Sequence, residues 1–146
     1  MGNDEKYESL KLSNQLCFPL YACSKEIIRR YKPFLDDIDL TYTQYITMMV
    51  LWEKKTVNVK SLGESLFLDS GTLTPVLKKL EHKGYITRVR SEADERNLVI
   101  TITDKGEQLK DKALNIPSEI GSCIRLDEEE AKFLYKILYK IIENVR

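Results

Sequence analysis

The sequence has 146 residues, of which 42% are hydrophobic and 32% are charged, with 23 basic side chains against 23 acidic ones. This length suits one domain with a real core, and the composition excludes a disordered chain and a membrane protein. No run of about 18 uncharged apolar residues is present, and the start, MGNDEKYESLK, does not resemble a signal peptide, so we expect a soluble, cytoplasmic protein.

The charge distribution and the cysteine spacing limit the kinds of binding site that the chain can carry. Residues 54–96 carry nine basic and six acidic side chains, whereas both flanking segments are slightly acidic, so phosphate contacts are expected from this middle segment. The cysteines Cys17, Cys23 and Cys123 and the single His82 lack the spacing of a zinc site or a disulfide scaffold. We expect no metal and no cofactor, and any cysteine chemistry should be thiol chemistry.

Two helices are predicted in the first third of the chain. Asn14 to about Tyr31 carries apolar residues at helical spacing, and the pattern breaks at Pro33. The next helix begins near Thr41, a favourable N-cap residue, and is apolar nearly all round. We expect this second helix to be the buried centre of the fold.

A helix-turn-helix is predicted next. NVKSLGESLF begins with the N-cap residue Asn58, and TLTPVLKKLEHKG ends at Gly84, a residue type that suits a left-handed C-cap. Only the residues LDSG separate the two short helices. Pro75 is expected in the first turn of the second helix, which would then begin near Gly71 or Thr72.

A β-hairpin and two further helices complete the pattern. YITRVR and NLVITIT alternate on either side of EADE, which predicts a hairpin, and a hairpin after a helix-turn-helix is the order of a winged helix. Thr103 caps the next helix, which is interrupted at Pro117, and Asp127 opens the last one. That helix carries an apolar stripe without a predicted partner, comprising Ala131, Leu134, Leu138, Ile141 and Val145.

The predicted fold is therefore mainly α with a small β-hairpin wing. We expect a single domain over residues 1–146, with the winged helix-turn-helix at about 41–103. Dimerisation helices are expected at about 10–35 and 104–146, because an intertwined homodimer built from both termini would cover the apolar stripe.

Polar and basic residues of the second short helix and the wing are the predicted DNA contacts. Hydroxyl side chains near the start of a recognition helix meet base edges, and lysine and arginine reach phosphates or a narrow minor groove. The alternative is an ordinary solvated helix with an exposed ion pair between Asp94 and Arg96. The candidates are Ser70, Thr72, Thr74, Lys78, Lys79, Arg88, Arg90, Asp94 and Arg96.

Cys17 shares a narrow stripe of the first predicted helix with two tyrosines. On a helical wheel, Tyr21 and Tyr31 lie within about 40° of Cys17. Phenol hydroxyls can donate hydrogen bonds to a thiolate, the form of cysteine that attacks peroxides. The alternative is that Cys17 fills the core, as free cysteines usually do.

We make separate predictions for the other two cysteines and for a proline near Cys17. Cys23 lies about 240° round the wheel from Cys17 and is interpreted as structural. Pro19 is expected to remove a backbone hydrogen bond beside Cys17. Cys123 lies in a polar segment between the last two predicted helices, and it could resolve an oxidised Cys17.

The segments LCFPLYACS, LTYTQY, LDSGTLTPVLKKLE and RSEADERNLVITIT closely resemble the MarR family of winged-helix regulators, above all its organic hydroperoxide resistance repressors. A group of thiol-based regulators of stress and virulence genes is also similar. The resemblance implies that Cys17 is the peroxidatic cysteine and that Tyr31 and Tyr42 hydrogen-bond its thiolate, Tyr42 from the other subunit. It also places Tyr21 near the pocket, and it admits a one-cysteine mechanism with a small thiol or a two-cysteine mechanism with Cys123.

The sequence thus predicts a homodimeric repressor that binds a palindromic operator and senses organic hydroperoxides through Cys17. A rival interpretation is a MarR-type regulator that responds to a small aromatic ligand, with Cys17 inert. A second rival, a thiol peroxidase, would leave the winged helix without a purpose, so we expect a regulator and not an enzyme.

Overall fold

The computed structural model of the protein describes residues 2–92 and 97–146, which form eight α-helices and three β-strands. The helices are α1 (Gly2–Lys6), α2 (Cys17–Asp36), α3 (Tyr42–Lys54), α4 (Val59–Leu66), α5 (Ser70–His82), α6 (Asp104–Ala113), α7 (Ile116–Ile124) and α8 (Glu128–Val145). The strands are β1 (Thr56–Asn58), β2 (Ile86–Arg90) and β3 (Leu98–Ile102). Two 3₁₀ turns, Glu8–Leu10 and Leu12–Asn14, connect α1 to α2.

Helix α2 is longer than the sequence predicts. It continues through Pro33 to Asp36, so the expected end before Pro33 is wrong. The proline lies in the last turn, where it removes only one helical hydrogen bond near an end that Leu35 anchors in the core. The expectation for Pro19 is also wrong, because Pro19 falls in the first turn, where its missing N–H would have had no intrahelical partner.

Helix α3 forms the centre of the core, as predicted. Thr41 is its N-cap and forms a capping box with Gln44, which is itself buried. Met48 and Leu51 are completely buried. The indole Nε1 of Trp52 donates to the carbonyl oxygen of Gly106 at 2.9 Å, which fixes α3 against the start of α6.

The helix-turn-helix is present, with one boundary shifted. Asn58 caps α4, as predicted, through its Oδ1 and the N–H of Ser61 at 2.7 Å. Asp69 caps α5 through the N–H of Thr72 at 2.7 Å, so α5 begins earlier than Gly71 or Thr72. Pro75 therefore lies inside α5 and not in its first turn, which corrects the prediction.

The end of α5 matches the predicted left-handed cap. Gly84 has a φ of 84°. Its N–H donates to the carbonyl of Glu81 at 2.9 Å, and the N–H of Tyr85 donates to the carbonyl of Leu80 at 3.1 Å. This pair of reversed hydrogen bonds is the Schellman motif, and it turns the chain directly into β2.

The strands form one antiparallel sheet in the order β1-β3-β2. The predicted hairpin is confirmed, with Arg88 opposite Ile100 and Arg90 opposite Leu98. Strand β1 was not predicted, and it pairs Val57 with Ile100 on the other edge of β3. The sheet thereby holds the hairpin against the helix-turn-helix.

The C-terminal part contains a helix where the sequence suggested a loop. Residues 116–124 form α7, and Ile116 and Ile120 enter the core. Helix α8 has the predicted capping box at Asp127, but it has no buried residue within the chain. In the described part of the chain, no helix has the length and apolar character needed to cross a membrane.

Candidate DNA-binding and thiol sites

Helix α5 presents its polar side chains on the side that faces away from its buried leucines. Ser70, Thr72, Thr74, Lys78 and Lys79 are all exposed. The hydroxyl of Thr74 donates to the carbonyl oxygen of Ser70 at 2.7 Å, so this side chain is left with acceptor capacity only. The first turn is fixed by the Asp69 cap, and the hydrogen bond from Thr72 lowers the pKa of the Asp69 carboxyl. A rigid polar helix surface of this kind can enter a major groove.

The wing strand β2 is tied to this helix by an ion pair. Arg88 Nη2 lies 3.0 Å from Glu81 Oε1, and the hydrogen bond from Arg88 lowers the pKa of the Glu81 carboxyl. Arg90 is exposed at the end of β2. Two candidates from the wing tip, Asp94 and Arg96, lie outside the described residues. The structure therefore gives Arg88 a role inside the protein, which is to orient the wing on α5.

Cys17 is the first residue of α2 and is exposed. Tyr21 lies one turn further along and is also exposed. Tyr31, which shares the same stripe on the helical wheel, is 14 residues away, and a rise of 1.5 Å per residue separates it from Cys17 by about 21 Å. Within one protomer the stripe therefore does not bring the thiol and Tyr31 together.

Tyr31 instead belongs to an aromatic cluster at the junction of α2 and α3. Its ring centroid lies 5.0 Å from that of Tyr42 and 5.9 Å from that of Tyr45. Burial raises the pKa of the Tyr31 phenol to about 12, with smaller effects from Tyr42 and Tyr45. Burial likewise raises the pKa values of Tyr42 and Tyr45. All three phenols are consequently protonated at neutral pH and able to donate hydrogen bonds.

The other two cysteines are also exposed. For Cys23, exposure in one protomer leaves the structural interpretation a prediction. Cys123 lies on the last turn of α7 and not in a loop. Its exposure agrees with what a resolving cysteine requires, and its helix packs against α2.

Sequence reasoning missed three residues that shape these sites. Asp69 had a signal, because an acidic residue three positions before Thr72 is a typical N-cap. Glu81 and Tyr45 had none, because their partners lie on other elements.

Similarity to known proteins agrees with this geometry. The model of a family described as transcriptional regulator SarA/Rot matches residues 29–113. The chain is 48% identical to the organic hydroperoxide resistance transcriptional regulator of Bacillus subtilis (strain 168), and the match covers 97% of both proteins.

Two solved structures of one other protein are similar over almost the whole chain. The structure of reduced AbfR bound to DNA has a TM-score of 0.79 and 36% identity, and covers 96% of this chain and 98% of that one. The structure of disulfide-formed AbfR has a TM-score of 0.63 and 35% identity, and covers 97% of each chain. AbfR is a protein of Staphylococcus epidermidis. The present conformation is thus more similar to AbfR bound to DNA, whether reduced or overoxidised, than to its disulfide form.

Proposed function

We propose that this chain, which belongs to the SarA/Rot family of transcriptional regulators and to the wider MarR group of winged-helix proteins, is a homodimeric, peroxide-sensing repressor. In this proposal the dimer binds a palindromic operator in the cytoplasm and leaves it when an organic hydroperoxide oxidises Cys17. The observation that carries the proposal is the exposed position of Cys17 at the start of α2, in a chain 48% identical to an organic hydroperoxide resistance regulator.

The proposed dimer explains the large separation between Cys17 and the tyrosine cluster. A two-fold axis across the middle of α2 would place two copies of this helix antiparallel, so that the first turn of one copy meets the last turns of the other. Cys17 of one protomer would then lie beside the Tyr31 and Tyr42 phenols of its partner. The protonated phenols would donate hydrogen bonds to the thiolate.

Exposed apolar side chains at both ends of the chain support this assembly. Leu16, the N-cap residue of α2, is 81% exposed, and Leu134 and Val145 of the α8 stripe are 45% and 76% exposed. Apolar surface on this scale marks an interaction site in a protein that is stable in water. A second copy covers both ends at once, as the sequence pattern predicts.

The proposed chemistry is a single oxygen transfer. The Cys17 thiolate attacks the terminal oxygen of the hydroperoxide, the O–O bond breaks, and the alkoxide takes up a proton and leaves as an alcohol. Cys17 becomes a sulfenic acid. A thiol, either a small molecule or Cys123 of the partner, then condenses with it and releases water, which leaves a disulfide.

Operator binding is assigned to the exposed residues of α5 and to the wing. In this proposal the α5 hydroxyls contact base edges, Lys78 and Lys79 contact phosphates, and Arg90 at the exposed end of β2 contacts the flanking groove. Oxidation changes the relative position of the two α5 helices of the dimer, so that they no longer match two half-sites one turn of DNA apart. The similarity to the reduced, DNA-bound form of AbfR supports assigning the present conformation to the DNA-binding state.

The proposal is tested with operator DNA taken from upstream of the protein's own gene. Fluorescence anisotropy measures DNA binding by the wild type, Cys17→Ser and Cys23→Ser before and after cumene hydroperoxide. The wild type and Cys23→Ser should be released from DNA, and Cys17→Ser should stay bound. Release of all three to the same extent would remove the redox account and leave the ligand-responsive rival, while steady consumption of peroxide with a thiol reductant would favour the peroxidase.

A further inference from the structure

The C-terminal end of the recognition helix α5 is fastened to the corner between α2 and α3 by one side chain. Lys83, the C-cap of α5, donates a hydrogen bond from Nζ to the carbonyl oxygen of Asp39. The same Nζ lies 3.4 Å from Gln44 Oε1 and 3.4 Å from Asp39 Oδ2. The Lys83 side chain is only 26% exposed, whereas that of Asp39 is 87% exposed. The contact therefore depends on the carbonyl and the amide oxygen more than on the solvated carboxylate.

The acceptors of Lys83 are held in place by α3. Gln44 is 2% exposed, and its Oε1 also accepts the N–H of Thr41 at 3.1 Å as part of the capping box. Asp39 has a φ of 53°, a conformation that non-glycine residues rarely adopt, so the carbonyl that faces Lys83 is fixed by a specific turn. A shift of the first turn of α3 would carry the Gln44 acceptor with it and disturb the contact.

The same turn of α3 carries Tyr42. Its ring packs 5.0 Å from Tyr31 and 6.3 Å from Tyr45, centroid to centroid. Because Tyr42 and Gln44 are two residues apart on one helical turn, a displacement of the Tyr42 ring that moves this turn also moves the oxygen that binds Lys83. The Lys83 side chain therefore connects the recognition helix to the turn of α3 that carries Tyr42.

A second lysine holds the same helix end to a different element. Lys105 of α6 donates from Nζ to the carbonyl oxygen of Lys83 at 2.7 Å, and Thr103 donates to the carbonyl of Gly84 at 2.6 Å. These contacts anchor the end of α5 to α6, which carries none of the three clustered tyrosines. Lys105 is therefore a matched control for Lys83, with the same charge, the same kind of acceptor and the same helix end.

We propose that Lys83 is a positioning residue that couples the state of the tyrosine cluster to the orientation of the recognition helix. This inference rests on the proposed peroxide response. In the reduced state, Lys83 holds the end of α5 to the α2–α3 corner. When oxidation displaces the tyrosines, the corner moves and Lys83 carries that movement to α5.

The test compares the ratio of operator Kd values in the oxidised and reduced states for the wild type, Lys83→Met and Lys105→Met. Regulatory coupling between two sites is typically about 5- to 150-fold, so the wild-type ratio should be of this order. In Lys83→Met it should fall below about threefold, and in Lys105→Met it should stay near the wild-type value even if both affinities change. Lys83→Arg, which keeps a charged donor, should restore most of the ratio.

Two controls separate the possible outcomes. Peptide mass spectrometry must show Cys17 oxidised at the same rate in every variant, because Lys83 is not assigned to the chemistry. A wild-type ratio in Lys83→Met would overturn the inference, and if both affinities had fallen equally, Lys83 would act only by binding phosphate. A wild type that peroxide does not release would instead contradict the proposed function itself.

Discussion

At the scale of single residues, the phenol of Tyr31 determines what the aromatic cluster can offer a thiol. Burial raises its pKa to about 12 from an ordinary value of 10.0. A phenol that keeps its proton at neutral pH can donate a hydrogen bond to an anion, whereas a phenolate could only repel it. The cluster therefore suits a negatively charged neighbour, which the proposed dimer supplies as the Cys17 thiolate.

The raised pKa of Tyr31 predicts a specific loss of stability in alkali. The contribution of the protonated Tyr31 phenol to the free energy of unfolding is fully present below pH 10, which is the pKa of this group in the unfolded chain. It is lost as the pH rises through the folded-state pKa of about 12. Above pH 10, the free energy of unfolding of the wild type should fall more steeply than that of Tyr31→Phe. Phenolate absorbance should show one tyrosine fewer titrating near pH 12 in the variant, and a Tyr31 that ionises near pH 10 would contradict this prediction.

The sequence was sufficient to select these residues but not to place them. A helical wheel gives the angle between Cys17 and Tyr31 but not their height along the axis, which differs by about 21 Å. The alternative that Cys17 fills the core is wrong for a similar reason, because the general preference of free cysteine for the core says nothing about one helix face.

At the scale of elements, α4 packs closely against the turn that precedes α5, and this close packing depends on Gly63. A Cβ at this position would lie 2.7 Å from the carbonyl oxygen of Leu68 and 3.4 Å from Leu73 Cδ1. Gly63→Ala should therefore destabilise the fold by about 1–3 kcal/mol. Gly121→Ala is the control, because among the described residues its Cβ would meet no atom within 4 Å beyond its chain neighbours and its own helix backbone.

The control should change stability in the opposite direction. Replacing a helical glycine by alanine without a clash stabilises by about 0.5–1 kcal/mol. Urea unfolding monitored by circular dichroism measures both variants. Equal effects of Gly63→Ala and Gly121→Ala would show that the contact between the two helices is looser than the structure indicates.

The ion pair between Arg88 and Glu81 predicts an unusual effect of removing a negative charge. Glu81→Gln should weaken operator binding, because the wing loses the carboxylate that orients Arg88 on α5. Simple electrostatics predicts the reverse, since the protein becomes more basic. Glu64→Gln removes an exposed charge from α4, for which no ion pair is recorded among the described residues, and should leave binding unchanged or slightly tighter. Tighter binding by both variants would contradict the orienting role.

Helix and strand prediction failed where tertiary contacts outweigh local preference. The segment IPSEIGSCI contains proline, glycine and two serines, yet it is helical because Ile116 and Ile120 enter the core. Strand β1 has only three residues and forms through its pairing with β3. The capped elements were found correctly, since Thr41, Asn58, Thr103 and Asp127 all bond to backbone N–H groups as their positions predict.

At the scale of the whole molecule, the exposed apolar face of α8 is the surface that the proposed dimer would cover. Leu134 is 45% exposed, and the stripe to which it belongs has no buried member. Leu134→Lys should shift the protein from dimer to monomer in sedimentation velocity and abolish tight operator binding. Lys136→Ala, about 200° round α8 from Leu134, should remain dimeric, and a fully dimeric Leu134→Lys would show that the contact lies elsewhere.

The account of the whole molecule depends on a direct link between one sulfur atom and operator occupancy. The most direct measurement titrates an organic hydroperoxide into the protein–operator complex and follows two quantities in the same samples. Mass spectrometry gives the fraction of Cys17 that is oxidised, and anisotropy gives the fraction of DNA still bound. The account predicts that DNA release follows Cys17 oxidation along one curve, whereas DNA released with Cys17 still a thiol, or DNA retained with Cys17 fully converted to a disulfide, would contradict it.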